Sequence, residues 1–435
     1  MVSPNHRQQM EQYFNGKKLL VLGSNIGSVE IVNYAKAHGA HTIVADYFEP
    51  EKSAAKRVAD EQAFISTANV TELSQLIKTR HIDGVLAGIS EFNLLKAQEL
   101  CMRNGLPFYC NRQQWDTIEN KVLFRDLCER HGVPTPRTLF KGDAGLASAP
   151  YCPPVVVKPD DSNSSRGVAF CIDNESQADA IAQAARLSSD NRVIIEEFFQ
   201  GEEFTAHYMV NHGKAFLACI DNRFPVALHD DKTTIPIARV YPCRYADRYM
   251  EKVNPRVVSM IESLGLECAV IFVQGLYDNN SERFAIFEGG LRCAGEAAYR
   301  ITDHLYGVNF LHNLVDYSLL GTTARPSMES MLLTDKRVAC VLSFAARGGT
   351  IAEITGVEGV TTQLPSLIHF EQRYHEGDTL PEGDTLRQIV LRFTLVCDSL
   401  DELKRHIDLI NSSVAVLDAA GNDLCVRFDS SQLLA

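Results

Sequence analysis

The sequence predicts a multidomain protein of mixed α/β and α+β class, and three observations carry that expectation. Strand-like and helix-like stretches alternate from Lys17 to Cys110. Two β-runs, ending at Lys158 and at Ile195, bracket an Ala-rich helical segment and lead into charged and aromatic residues. From Met328 onward an amphipathic helix and a hairpin pattern make a small α+β unit. A chain of 435 residues holds two or three domains with sizeable cores. We place the divisions at 1–114, 115–320 and 321–435, with a smaller lobe over about 154–200.

Composition narrows the class. Hydrophobic residues make up 45% and charged residues 22%, as in globular rather than disordered proteins. A net charge of −13 argues against a general nucleic-acid or anionic-membrane binder, which needs a basic face. It leaves room for a local basic pocket. Twelve cysteines occur singly, without a Cys-x-x-Cys pair, and the polar stretch Met1 to Asn15 lacks an apolar leader segment. No apolar run approaches the roughly 20 residues of a membrane span. The expectation is a soluble cytoplasmic protein with reduced thiols and small-molecule partners.

Lys17 to Gly23 reads as a strand, followed by a loop and a helix from about Ser28 to His38, stopped by Gly39. A second strand, His41 to Ala45, ends on Asp46, and further strands and helices alternate to Cys110. That rhythm predicts a parallel sheet with helices on both faces. Asp46 either binds a dinucleotide ribose or simply ends a strand; Gly23 and Gly27 do not complete G-x-G-x-x-G.

Gln114 to Gly132 reads as one helix carrying Leu123 and Leu127 on one face. If it begins at Asn120, Lys121 lies in the first turn, where a cation opposes the macrodipole unless an anion binds there. Lys121 is otherwise a solvated lysine. The stretches 141–154 and 321–327 read as linkers, and strands dominate after Glu203, with a helix from about Pro255 to Leu264. Cys268 to Tyr277 and Arg283 to Glu288 form a hairpin around Asp278 to Ser281. Near the C-terminus, Ser399 and Glu402 make a capping box for a helix with Leu400, Leu403, Ile407 and Ile410 on one face. A hairpin over 414–428 turns at Gly421-Asn422. His207 and His212 read as ordinary strand and turn residues.

The chemistry concentrates between Pro154 and Phe204. Lys158 follows three valines, so its ammonium either snorkels to solvent or meets an anion. Ser164, Ser165 and Gly167 lie in a small-residue loop that either cradles terminal phosphates or is an exposed turn. Glu196 and Glu197, with Phe198 and Phe199, offer an edge and an apolar slot for a base, or else end a strand over core aromatics. Glu203 is placed to accept from ribose hydroxyls. If Tyr277 faces Arg283, Gln274 opposes Ile286 and Glu288 lies one diagonal away. Glu288 then suits Mg²⁺, and Arg292 a carboxylate or acyl phosphate, unless the two form an ion pair. Glu91 is a candidate contact for a cationic amine; Arg223 and Arg300 are weaker candidates for substrate carboxylates.

Taken together these motifs resemble the ATP-grasp superfamily of carboxylate–amine ligases across nearly the whole chain. The resemblance implies an N-terminal Rossmann-like pre-ATP-grasp domain, a two-lobed ATP-grasp unit and a C-terminal extension like that of amino-acid ligases. Asn120-Lys121, opening a helix that ends Gly-Val-Pro-Thr-Pro, supplies one ATP-binding lysine in that family, and Val-Val-Val-Lys158-Pro the other. Ser164, Ser165 and Gly167 then cover the phosphates, Glu196 to Phe199 meet adenine, and Glu203 meets the ribose. The metal strand usually reads Glu-x-Asn-x-Arg; here it is Glu288-Gly-Gly290-Leu-Arg292, and the second acidic ligand falls on Gln274. Both departures point to one Mg²⁺ or weaker binding instead of two ions, with Mn²⁺ as an alternative. The form is similar to a carbamoyl-phosphate-synthase-like branch. It implies ADP-forming carbon–nitrogen ligation through an acyl phosphate, with Lys158 and Arg292 catalytic and a homodimer common among relatives. Its competitor is a degenerate ATP-grasp protein that binds nucleotide without ligase activity.

Overall fold

The computed structural model describes residues 13–147, 150–160, 167–228, 234–323, 336–381 and 386–433. In the N-terminal part the apolar strand Lys18–Leu22 pairs in parallel with His41–Ala45 and Gly84–Ala87, giving the strand order 61–63, 41–45, 18–22, 84–87. Gly39 (φ 95°) stops the helix Ser28–Ala37, as its left-handed backbone favours glycine. Asp46 is buried, accepts from Phe48 N at 2.9 Å and Ser53 Oγ at 2.8 Å, and pairs with buried Lys56 at 3.0 Å. Both oxygens are engaged within the fold, which removes the ribose reading.

The helix expected over Gln114 to Gly132 is two helices, Arg112–Glu119 and Lys121–Arg130. Asn120 is extended (φ −79°, ψ 122°) and its side chain accepts from Val122 N and Leu123 N, so it caps the second helix. The break rotates the apolar face: Phe124, Leu127 and Cys128 are buried, whereas Leu123 is 43% exposed.

The smaller lobe is a four-stranded sheet in the order 138–143, 192–197, 155–159, 169–171. The helix Glu175–Leu187 covers it, packing Ala180, Ile181 and Ala184 onto Val155, Val157 and Ile195. The expected linker from Lys141 instead starts within the edge strand Thr138–Asp143. Of the second expected linker, residues 324–327 lie outside the described residues.

A nine-stranded sheet forms the centre, in the order 283–290, 268–278, 202–211, 214–226, 235–241, 338–346, 389–397, 367–372, with 425–426 added beside 338–346. Ile235–Tyr241 joins Val338–Ala346 with Tyr241 opposite Ala339, so one sheet runs across residue 320 into the C-terminal part. The helix Leu400–Ser413 has its expected cap: Ser399 Oγ accepts from Glu402 N, and Glu402 reaches back to Asp398 N at 2.8 Å. The expected 414–428 hairpin is only one bridge, Leu417 to Asp423. Its arms diverge because Ala415–Leu417 pairs with Glu353–Thr355 and Cys425–Val426 with Val338–Ala346. Among the described residues no helix is long and apolar enough to cross a membrane. All twelve cysteines are unpaired, and only Cys152 is exposed.

His207 is not an ordinary strand residue. Its Nε2 lies 2.9 Å from Glu296 Oε1 and 3.6 Å from Asp221 Oδ2, while Arg239 reaches Asp221 at 3.1 Å and Glu296 at 3.4 Å. Two carboxylates thus face a guanidinium and an imidazolium in a buried, charge-balanced cluster. Burial alone would lower the His207 pKa, but the neighbouring carboxylates of Asp221 and Glu296 raise it to about 9. Stabilisation from this group is complete below its unfolded value of about 6.5 and lost as pH rises through the folded value, about 3 kcal/mol in all. The unfolding temperature should therefore fall between pH 7 and 9.5, and His207→Gln should flatten that fall. Equal slopes in both proteins would refute the assignment.

Candidate functional site

Strand alternation builds the face of the smaller lobe that carries Lys158. Val155 and Val157 face its core, so Val156 and Lys158 face the other way. Glu196 lies opposite Val156, which makes it a diagonal neighbour of Lys158 on that face. The Glu196 carboxylate accepts from Lys158 Nζ at 2.7 Å and from Arg125 Nη2. Arg125 Nη1 donates to the carbonyl of Ile286 at 3.0 Å, so the same guanidinium touches the central sheet. Burial, helped by the Arg125 and Lys121 cations, pushes the Lys158 ammonium pKa down, while Glu288 pulls it up. Lys121 is brought alongside by its backbone N–H, which donates to the carbonyl of Asp160 at 2.9 Å.

Glu196 is therefore the buried partner of two cations, where the sequence suggested a base contact. Glu197 accepts from Arg137 N at 3.0 Å and lies 3.6 Å from Arg283. Phe198 is 40% exposed, edge-on to Phe170, while Phe199 is buried beneath Arg283. Glu203 pairs with Arg223 at 2.7 Å, joining a ribose candidate to a carboxylate candidate. Gly167 (φ 77°) packs so closely that an added Cβ would lie 2.6 Å from Leu187 Cδ1. Ser164 and Ser165 lie outside the described residues.

The hairpin register differs from expectation. Asp278 opposes Arg283 and Tyr277 opposes Phe284, and an irregularity after Gln274 leaves Phe287 unmatched. Gln274 consequently sits directly opposite Glu288, not Ile286. Thr205 and then Asp221 continue the same row across the sheet, linking this pair to the buried His207 cluster. Glu288 and Gln274, opposite each other in register and half-buried, with Glu288 near Lys158, offer oxygens that suit Mg²⁺, which takes one or two protein oxygens and completes its shell with phosphate and water.

Arg292 pairs with Glu91, not Glu288: its Nε donates to Glu91 Oε1 at 3.1 Å and its Nη2 to the same oxygen. The guanidinium lies 5.1 Å from the centroid of the Phe272 ring. A Cβ at Gly290 would collide with that ring, which fills the space where the family pattern has an asparagine side chain. Glu119 was not foreseen. It accepts from Leu291 N at 2.9 Å, and burial raises its pKa to about 7, with Arg292 opposing and Glu91 and Glu288 reinforcing. Its position just before Asn120-Lys121 was the available signal. Arg125, one turn after Lys121, carried a similar one.

Lys121, Lys158, Glu288, Arg292, Glu91 and Glu119 thus occupy one connected electrostatic neighbourhood. Such a group can hold a polyanion with a divalent cation and orient a carboxylate. Arg300 lies outside this group, paired with Glu30 in an adjoining cleft of about 1380 Å³.

A family model described as the D-ala D-ala ligase C-terminus matches residues 147–233. The phosphoribosylamine–glycine ligase of Leifsonia xyli subsp. xyli is 27% identical over 205 residues, 46% of this chain and 48% of that one. The chain thus spans about half the length of that curated relative. The L-amino acid ligase of Bacillus licheniformis superposes with a TM-score of 0.74 at 16% identity, covering 92% of this chain and 98% of that one. The biotin carboxylase domain of Hydrogenobacter thermophilus 2-oxoglutarate carboxylase, solved with MgADP and bicarbonate, gives 0.71 at 16% identity over 91% and 89%. At such identities the two structures establish the fold.

Removing the shared carboxylate leaves two buried cations without an anion. Glu196→Gln should therefore destabilise the protein by about 3–5 kcal/mol. Thermal unfolding without nucleotide checks this; an unchanged midpoint would show that the two cations do not depend on Glu196.

Proposed function

We propose that this chain, a member of the ATP-grasp superfamily, is an ADP-forming ligase that joins a small carboxylate to an amine. The observation supporting this most directly is the shared electrostatic neighbourhood of Lys121, Lys158 and Glu288 beside Arg292. Lys121 and Lys158 neutralise the triphosphate, Gly167 with Ser164 and Ser165 covers it, and Phe198 flanks the base. Glu196 holds Lys158 in position until phosphate arrives, Glu197 and Phe199 shape the base slot, and Glu203 takes the ribose. Glu288 and Gln274 would hold Mg²⁺ or Mn²⁺, which when bound offsets phosphate charge.

A substrate carboxylate oxygen held by Arg292 attacks the γ-phosphorus in line; the bond to ADP breaks and an acyl phosphate forms. The amine nitrogen, once deprotonated, attacks the carbonyl carbon, phosphate leaves and takes up the proton the nitrogen sheds, and an amide results. Positioning and charge neutralisation do most of this work, and excluding water protects the acyl phosphate. Glu91 is the candidate for the amine's charge, and Arg223 a weaker one for a substrate carboxylate. We take the domains as 1–114, 115–320 and 321–435, the setting as cytoplasmic, and the assembly as a homodimer acting on small molecules.

The Gln274 amide and the Phe272 ring in place of an asparagine favour a second reading, a nucleotide-binding module without ligase activity. ADP release that requires both an acid and an amine separates the two. Lys158→Ala should weaken ATP binding by roughly 10–100-fold, the worth of a buried charge-assisted contact, with the far-ultraviolet circular dichroism unchanged. Arg292→Ala should keep ATP affinity and lose acid-dependent ADP release. Unaltered nucleotide affinity in the lysine variant would sink the assignment.

A further inference from the structure

The cleft around Arg300 is built from three separated parts of the chain. The segment from Ser24 to Glu30 forms one wall, the helix Tyr299–Tyr306 a second, and the strand Leu367–Gln372 with Arg373 the third. Its volume, about 1380 Å³, exceeds the roughly 300–1,000 Å³ typical of a drug-sized ligand site. One small amino acid would leave it mostly empty.

Its two guanidiniums are incompletely satisfied. Arg300 donates to Glu30 through Nε at 2.8 Å and through Nη2, but its Nη1 is buried and bonds nothing among the described residues. Arg373 donates to Glu371 at 3.1 Å and to the Leu386 carbonyl at 3.2 Å, yet its Nη2 is also buried without an acceptor among the described residues. Buried donors without acceptors are uncommon, and each marks a place for an oxygen the described residues do not supply. Beside them, burial and Arg300 push the His369 pKa down to about 4, so it offers a neutral imidazole.

The cleft adjoins the ligase centre. Ile89 lines it, and two residues on, Glu91 holds Arg292. Glu30 accepts from Tyr299 Oη at 3.4 Å and its charge reaches Cys293, the neighbour of Arg292. A molecule with its reacting group at Arg292 therefore has this cleft for its remainder.

Building on the ligase reading, we propose that the substrate reaching Arg292 is larger than a simple amino acid and carries a second anionic group, carboxylate or phosphate, that is bound in this cleft by Arg300 and Arg373. An oxyanion supplies the acceptors both guanidiniums lack. Arg373 is the better position to test, because Glu371 keeps a second partner, Arg392 at 3.5 Å, when Arg373 is replaced.

The test is calorimetric titration of the full chain, saturated with MgADP, with inorganic phosphate and with glutarate. One probe should bind saturably, and Arg373→Met should weaken it by roughly 10-fold or more. Arg373→Lys should restore little, since the forked geometry is lost, and Arg112→Met, an exposed arginine remote from both sites, should match the wild type. Phosphate-selective binding assigns a phosphorylated substrate, glutarate-selective binding a dicarboxylic one. Saturation by neither probe, retention of affinity in both Arg373→Met and Arg300→Met, or equal loss in Arg112→Met would overturn the proposal. Arginine-dependent binding without ADP release would retire the ligase reading while leaving an anion site.

Discussion

One buried carboxylate holds the two lobes of the central unit in register. Glu196 sits between Lys158 and Arg125, and Arg125 continues to the carbonyl of Ile286 in the central sheet. A second link, from Ile286 N to the Pro134 carbonyl at 2.7 Å, fixes the entry into the smaller lobe beside it. An isolated charge at this depth would be expelled or neutralised, so these groups persist only as a set. The cation that meets phosphate in the proposed reaction is thereby also part of the lobe junction.

A second polar system braces the loop that carries Arg292. The row from Glu288 through Gln274 and Thr205 to Asp221 runs into the His207 cluster, whose Glu296 belongs to the loop carrying Arg292. From the C-terminal strands, Arg392 donates to the Gly295 carbonyl at 2.6 Å and pairs with Glu371. The last third of the chain therefore stiffens the loop that presents the arginine. Loops that position reacting groups need such support, because small displacements cost large factors in rate.

Much of this was legible in the sequence where one residue type answered one local need. A lysine after three valines, a glutamate after an apolar run and a serine three before a glutamate each announced their setting. What escaped notice depended on partners far along the chain. Nothing near Asn120 distinguishes a helix-breaking cap from a mid-helix asparagine until the Asp160 carbonyl takes the Lys121 N–H. The hairpin register depended on an unmatched Phe287, and a one-residue irregularity carries no composition signal. The Glu91–Arg292 pair joins residues 201 positions apart, beyond any periodicity.

The aromatic ring under Arg292 constrains which residues can stand beside it. Because Phe272 occupies the volume next to Gly290, the two positions cannot drift independently. An asparagine entering at 290 first would be crowded out, and a small residue entering at 272 first would open a void and deprive Arg292 of its platform. Placing an amide at 290 therefore requires a smaller residue at 272 in the same step, so packing alone ties the choice at one position to the choice at the other.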